Sequence, residues 1–357
     1  MKFLSIITFL FSITQSFAQN KIAFAKLEKG DDGLYYYQNE PYTGETLLLW
    51  PSNNKPLQRV TWSEGRIHGK FLSWYEDGKK DQIIGYKDGV RHGDFKTFYS
   101  NGAPEVQCRY KDGKLDGGYM SYERDGSPRK RVTFVNGKEN GEFVLFHTNG
   151  KKEQTGNYVD GKPDGLILSF DREGNKRKEI YYKNGLRHGK STLYHISGNV
   201  AEISTYVDGY VDGEKLVYSL GNQLMKRENY KMGKLHGEVI TYTLSGMPLE
   251  IINYKDGKKH GEYKLYKEAG LDTYGTYEND YKTGYWVEHK YNEGGPDEGN
   301  YEKGLKNGKW QIGATNLFGK CRGEFRANKK HGTWEYLKHD EKKWKTEEWD
   351  NGVRIFK

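Results

Sequence analysis

An aromatic residue recurs along this chain at a fixed interval. Trp62, Tyr86, Tyr110, Phe134, Tyr158, Tyr182, Tyr206, Tyr230 and Tyr254 stand 24 residues apart. Tyr277 follows at a step of 23, then Tyr301, Phe325 and Trp349, and Tyr37 precedes Trp62 at a step of 25. We number each repeat from this residue as position 0. Glycine recurs at positions 3, 7 and 16, as in Gly89, Gly93 and Gly102. The residue before the glycines at 3 and 16 is usually Asp or Asn, as in Asp88-Gly89 and Asn101-Gly102. Asp-Gly and Asn-Gly are strong hairpin signals because both turn residues take positive φ. Each repeat therefore predicts two turns and two strands of about six to eight residues. Direct hairpin connections make neighbouring strands antiparallel. The predicted class is all-β: an elongated, twisted antiparallel meander of repeated β-hairpins with a 24-residue period.

A second aromatic stands at position 12: Trp74, Phe98, Tyr122, Phe146, Phe170, Tyr194, Tyr218, Tyr242 and Tyr266. Stacked repeats should line these up as a ladder beside the ladder of position 0. We read the position-12 ladder as an interaction surface. A partial series at position 9 includes Phe71, Phe95, Tyr119, Phe143, Tyr263, Trp286, Trp310 and Trp334. Positions 9 and 12 differ by an odd number, so either both faces carry aromatics or a bulge intervenes.

Composition fits this repeat. The 357 residues include 45 glycines and 29 tyrosines, while Leu, Ile, Val and Phe together are about a fifth. Of the glycines, 32 fall on the three repeat positions, so they mark turns and not a flexible linker. A thick aliphatic core of Rossmann or barrel type is excluded. The first residues read as a cleaved export signal. Lys2 precedes an apolar stretch from Phe3 to Ile13, and Ser16-Phe17-Ala18 is followed by a cut before Gln19. This implies residues 1–18 as signal peptide and a periplasmic or extracellular destination. Residues 19–36 would form an N-terminal cap, 37–276 the regular repeats, and 277–357 divergent repeats with a C-terminal cap. There Asp280 and Asn328 replace glycines, and Gly294-Gly295-Pro296 interrupts a strand. The two cysteines, Cys108 and Cys321, lie nine repeats apart. That is on the order of 85 Å in an extended array, against the ~7 Å a disulfide allows.

No catalytic constellation breaks the repeat. Six of the ten histidines share position 6: His68, His92, His188, His236, His260 and His331. Other repeats put Asp or Asn there, as in Asp116, Asn140 and Asp164, so the slot reads as a turn position and not a metal site. Gly185 to Ser191 (GLRHGKS) approaches a phosphate-loop pattern but has Asn184 where the first glycine is needed. We therefore expect no enzyme, no cofactor and no metal. The formal net charge is +8. Basic residues recur after the second turn: Arg129, Lys130 and Arg131, then Lys151 and Lys152, then Lys176, Arg177 and Lys178. As a stripe these could meet anionic lipid, glycan or an acidic protein. Nucleic acid is disfavoured for an exported chain whose acids are interspersed with its bases.

The segments Tyr86-Lys-Asp-Gly89-Val-Arg-His-Gly93, Tyr110-Lys-Asp-Gly113-Lys-Leu-Asp-Gly117 and Tyr254-Lys-Asp-Gly257-Lys-Lys-His-Gly261 resemble the MORN repeat in its bacterial variant form. The resemblance spans residues 37 to 352. It implies a non-enzymatic array of hairpins acting as a scaffold for a protein partner. Membrane contact in some members, and an antitoxin or immunity role in many bacterial relatives, are further implications. The export signal departs from what a cytoplasmic antitoxin needs. The leading expectation is an exported scaffold that binds a protein. The alternatives are an antitoxin-like protein neutralising a toxin and a binder of anionic envelope lipid or glycan.

Overall fold

The structure is a computed structural model that describes residues 21–268, 270–289, 295–313 and 319–356. The export segment 1–18 and Gly294 lie outside the described residues. The chain divides into two compact units between Lys162 and Pro163. Each is an antiparallel meander of hairpins. In the first, Pro56–Ser63, Arg66–Trp74, Lys80–Lys87, Val90–Phe98 and Pro104–Lys111 pair in succession. In the second, Lys176–Lys183, Leu186–Tyr194, Val200–Val207 and Tyr210–Tyr218 do the same. Lys21–Ala23 lies parallel to Gly44–Leu49. Among the described residues the only helical element is a 3-10 turn, Phe24–Lys26. The GLRHGKS segment is part of a strand, so it forms no phosphate loop.

The two Asx-Gly turns of a repeat differ, and only the first follows the expectation. At Asp88-Gly89 φ is 50° and 84°, and at Asn184-Gly185 it is 52° and 89°, so both residues are left-handed. In the second turn only the glycine is left-handed, as at Gly102 with φ 93°. Its N–H donates to the Tyr99 carbonyl three residues back. The preceding Asx has a different task here. The Asn101 side-chain oxygen accepts the Ala103 N–H at 3.0 Å, and Asp77 does the same for Lys79 at 3.0 Å. One dipeptide thus serves two turn geometries.

The first turns are tied to one another as a staircase. The N–H of each glycine at position 3 donates to the carbonyl at position 5 of the preceding repeat, as in Gly89 to Ile67 and Gly233 to Val211, both 2.8 Å. The side chain at position 6 caps the next turn. Asp116, Asp164 and Asp212 accept the backbone N–H of Asn136, Asn184 and Met232 at 3.1, 3.0 and 2.9 Å. His68, His92 and His188 do this through Nδ1, and their partner turns carry Asp. His68 meets Asp88 at 2.9 Å, and His92 meets Asp112 and His188 meets Asp208 at 3.3 Å. Where position 6 is itself Asp, the facing residue is Asn or Met, which avoids two carboxylates in contact. The positive-φ glycine at position 7 makes this reach possible. Between Ile84↔Phe95 and Tyr86↔Arg91 the strand bulges, which turns His92 toward the next hairpin.

The core is one side-chain layer on one face, built from positions 0, 5 and 9 and the residue two before position 0. Rings at 9 meet the ring that opens the following repeat: Phe95–Tyr110 at 5.4 Å, Phe143–Tyr158 at 4.6 Å, and Trp310–Phe325 at 6.0 Å between centroids. A cation at position 5 fills the space between them. Arg91 lies over Phe95 and Tyr110, and Lys306 lies 4.1 Å over Trp310. Such contacts contribute about 0.5–2 kcal/mol each, more where water is excluded. In the repeats with an aromatic at position 9, the residue facing it at −2 is smaller as the ring is larger. Val60 faces Phe71, Ile84 faces Phe95 and Val132 faces Phe143. Where position 9 becomes Trp, the partner becomes Gly, as in Gly299 against Trp310. The same exchange gives Gly275 beneath Trp286 and Gly323 beneath Trp334, where an added Cβ would stand 2.1 and 2.5 Å from the indole. Trp286 and Trp334 are completely buried. The divergent C-terminal repeats thus keep the same core with the volumes redistributed. Cys108 takes the −2 slot opposite Phe95, and burial pushes its thiol pKa up to about 11. Both cysteines are buried and unbridged.

This packing makes a quantitative expectation. Gly299→Val should overpack against Trp310 and destabilise by about 1–3 kcal/mol, and Gly299→Val with Trp310→Phe should recover part of that loss. Urea midpoints for the two single variants and the double variant check it.

Candidate interaction face

The opposite face carries positions 8, 10 and 12 and the residues one and three before position 0. Arg59, at −3, places its guanidinium 6.0 Å from the Trp74 ring, and Lys176 lies 5.3 Å over Tyr194. These contacts put position 12 on the open face, across the sheet from the spine at position 9. Both faces therefore carry aromatics. The nine position-12 rings are all half-buried, so each offers part of a ring to solvent.

The same repeat positions form a groove in each unit. In the first unit a hollow of about 420 Å³ is lined by Asp94, Lys96, Gln107, Arg109, Met120 and Arg131. In the second a hollow of about 510 Å³ is lined by Tyr285, Glu298, Gln311, Arg322, Thr333 and Glu335, among others. The second groove is held by side-chain bonds. The Tyr285 hydroxyl donates to Glu298, and the Gln311 amide donates to the other Glu298 oxygen at 2.7 Å. Arg322 grips Glu335 through Nε and Nη2, both at 2.9 Å. The hydrogen bond to Glu298 and partial burial push the Tyr285 phenol up to about 12, so it stays a donor at neutral pH. The Glu335 carboxyl is lowered by its bonds to Arg322 and Lys343 and stays ionised. The groove is thus a fixed set of charged and hydrogen-bonding groups beside the exposed ring of Tyr285.

The basic residues after the second turn are placed differently within each unit. Lys130 faces the spine side and is paired with Glu139, whereas Arg131 lines the open groove of its unit. Arg129 lies 3.9 Å from Glu123. In the second unit Lys176 is paired with Glu179. Arg177 is the extra residue of a bulge and is locked to Asp171 at 2.6 Å and to the His195 carbonyl. Lys151, Lys152 and Lys178 are exposed on their strands. Among the described residues no group of three or more His, Cys, Asp or Glu is placed to hold a metal ion.

Asp171 illustrates how such a pair is built. Burial raises its carboxyl pKa, but the Asn175 N–H and side-chain amide and the Arg177 guanidinium outweigh that and bring it down to about 2. A depressed carboxyl stabilises the fold above its unfolded pKa of about 4 and loses that contribution as pH falls toward 2. Asp171→Asn should therefore be less stable than the parent at pH 7 and equal to it near pH 2. Urea midpoints across that range measure the convergence.

Two functional features were not drawn from the sequence. The −3/10 pairs of the open face, such as Glu298 with Gln311 and Arg322 with Glu335, carry no residue type in common from repeat to repeat, so a period search passes over them. The charged interruption of the spine in the second unit was also missed. Lys215 stands at position 9, bonded to Glu202 at 3.1 Å, and the nearly buried Glu228 takes a −2 slot beside Lys226 at 2.7 Å. Its signal was present as the one charged residue in the position-9 series.

The fold defines a β-hairpin repeat protein with one face packed as a spine and one face open. Five of its repeats are similar to the MORN repeat variant: that family's model matches residues 67–88, 91–112, 139–160, 163–184 and 235–256. No curated protein matches the chain. Among solved structures it is similar to the crystal structure of TcdB2-TccC3-Cdc42, at 12% identity over 86% of this chain and 17% of that one, with a TM-score of 0.16. It is also similar to the crystal structure of TcdB2-TccC3-TEV, at 10% identity over 86% of this chain and 17% of that one, with a TM-score of 0.14. The chain therefore spans about a sixth of the length of these two solved chains.

Proposed function

We propose that this protein is an exported, non-enzymatic scaffold that binds a protein partner along its open face. The observation that carries the reading is the recurrence of one amphipathic groove at the same repeat positions in each unit. A groove of fixed, ionised and hydrogen-bonding side chains suits an extended polar segment of another protein. It offers carboxylates and guanidinium in place, so little ordering is needed on binding. MORN repeats commonly mediate protein or membrane-lipid contacts and are generally non-catalytic, which supports the same reading. A toxin neutralised on this face would be one such partner. Binding of anionic lipid or glycan through the basic residues is the weaker reading, because Lys130, Lys176 and Arg177 are already engaged with Glu139, Glu179 and Asp171.

Pull-down with the full chain from an envelope extract tests this. A specific protein should be retained, and Tyr285→Ala with Arg322→Ala should weaken its binding at least tenfold without a large change in thermal midpoint. Retention of no protein at any salt, or retention unaffected by the two substitutions, contradicts the proposal.

A further inference from the structure

The second turns of three consecutive repeats differ from the rest. Position 14, the first corner of that turn, is Glu76, Ser100, Arg124, Thr148 and Arg172 in five repeats. In the next three it is Ile196, Leu220 and Leu244. These side chains are 82%, 64% and 72% exposed, with Met247 beside the third at 63%. The three turns, His195–Asn199, Ser219–Gln223 and Thr243–Met247, carry no acidic residue, lysine or arginine.

The aliphatic residues do nothing for the turns themselves. The Asx residue that closes the other second turns is absent, and a hydroxyl at position 13 replaces it in two of the three. Ser219 Oγ accepts the Gln223 N–H and Thr243 Oγ1 accepts the Met247 N–H, both at 3.1 Å. The tips are also braced from repeat to repeat. The Asn199 amide donates to the Leu220 carbonyl at 2.9 Å, and His195 Nε2 meets the Tyr218 carbonyl at 3.0 Å. The outcome is a file of three aliphatic knobs whose own turns carry no charge, the first braced to the second.

We propose that this ridge docks an amphipathic α-helix of a partner protein, with an apolar residue at every seventh position. Repeats stand two strands apart, about 10 Å, and seven helical residues rise about 10.5 Å. Three knobs at that interval therefore match one apolar stripe of a helix of at least fifteen residues. The patch is on the order of 500 Å², below the roughly 800 Å² per partner of a stable interface between two copies of this chain. The inference rests on the proposal that the protein is a binding scaffold, and adds a second contact away from the open-face groove.

A photocrosslinking amino acid in place of Leu220, and another in place of Ser100 as a polar-tip control, tests it in the full chain in the cells that make it. Mass spectrometry of the adducts should give a peptide from one protein at 220 and not at 100, with apolar residues spaced by seven. A synthetic helix of that segment should bind the purified chain and lose at least tenfold affinity on Leu220→Ser. Adducts to lipid, to a second copy of this chain, or equally at both sites overturn the proposal. So does the absence of any adduct at 220. If a protein is still retained through Tyr285 and Arg322 while 220 yields nothing, the ridge fails and the scaffold stands. If neither route retains a protein, both fail.

Discussion

Everything in this molecule depends on filling one side-chain layer between a strand and its neighbour. Only at Trp62 do a 3-10 turn and a small second sheet, through Phe24 and Tyr35, pack on the spine, so among the other described repeats the layer is completed largely from the repeats' own residues. The −2 and 9 positions do this by exchange. A β-branched residue or Cys accompanies Phe or Tyr, and Gly accompanies Trp. The cation at position 5 then covers the exposed edge of the ring pair and keeps its own charge at the surface. A chain low in aliphatic residues can order itself this way because aromatic rings supply large contact area per residue.

The hairpin repeat was legible in the sequence for physical reasons. Positive φ at both turn residues favours Asp-Gly and Asn-Gly in the first turn, and that preference leaves a clear mark at positions 2 and 3, although Glu64, Met232, Lys303 and Ala327 take the same conformation. The bulge restricts position 7 to glycine in the same way. The second turn was read less well, because Asn101 and Asp77 act through their side chains and not through unusual backbone angles. The spine was only half legible. Aromatics at 0 and 9 were visible, but the partner at −2 changes from Val to Gly, and compensation between two positions is invisible to a search for identical residues. For the same reason the C-terminal repeats read as looser than they are.

The chemistry of the open face was the least legible part. The position-12 rings were visible, but the two grooves are lined from positions 8, 10, −3 and −1, where residue type is free to vary, and neither groove includes a position-12 ring. The basic residues read as a stripe in sequence are separated by the pleat and by a bulge at Arg177, and several are spent on internal acids. The histidines of position 6 were recognised as turn residues. What sequence spacing did not reveal was their target, the backbone and carboxylate of the following turn, with His facing Asp and Asp facing Asn or Met. Local rules therefore describe the scaffold, while function sits in the positions those rules leave open.

The account's central claim is that stability is local, a sum of neighbouring repeat contacts along the spine. Hydrogen exchange on the full chain carrying Trp334→Ala tests it most directly. The account predicts lost amide protection from about residue 301 to residue 349 and unchanged protection in the repeats between Tyr182 and Tyr254. A uniform loss of protection from Tyr182 to Trp349 would contradict it.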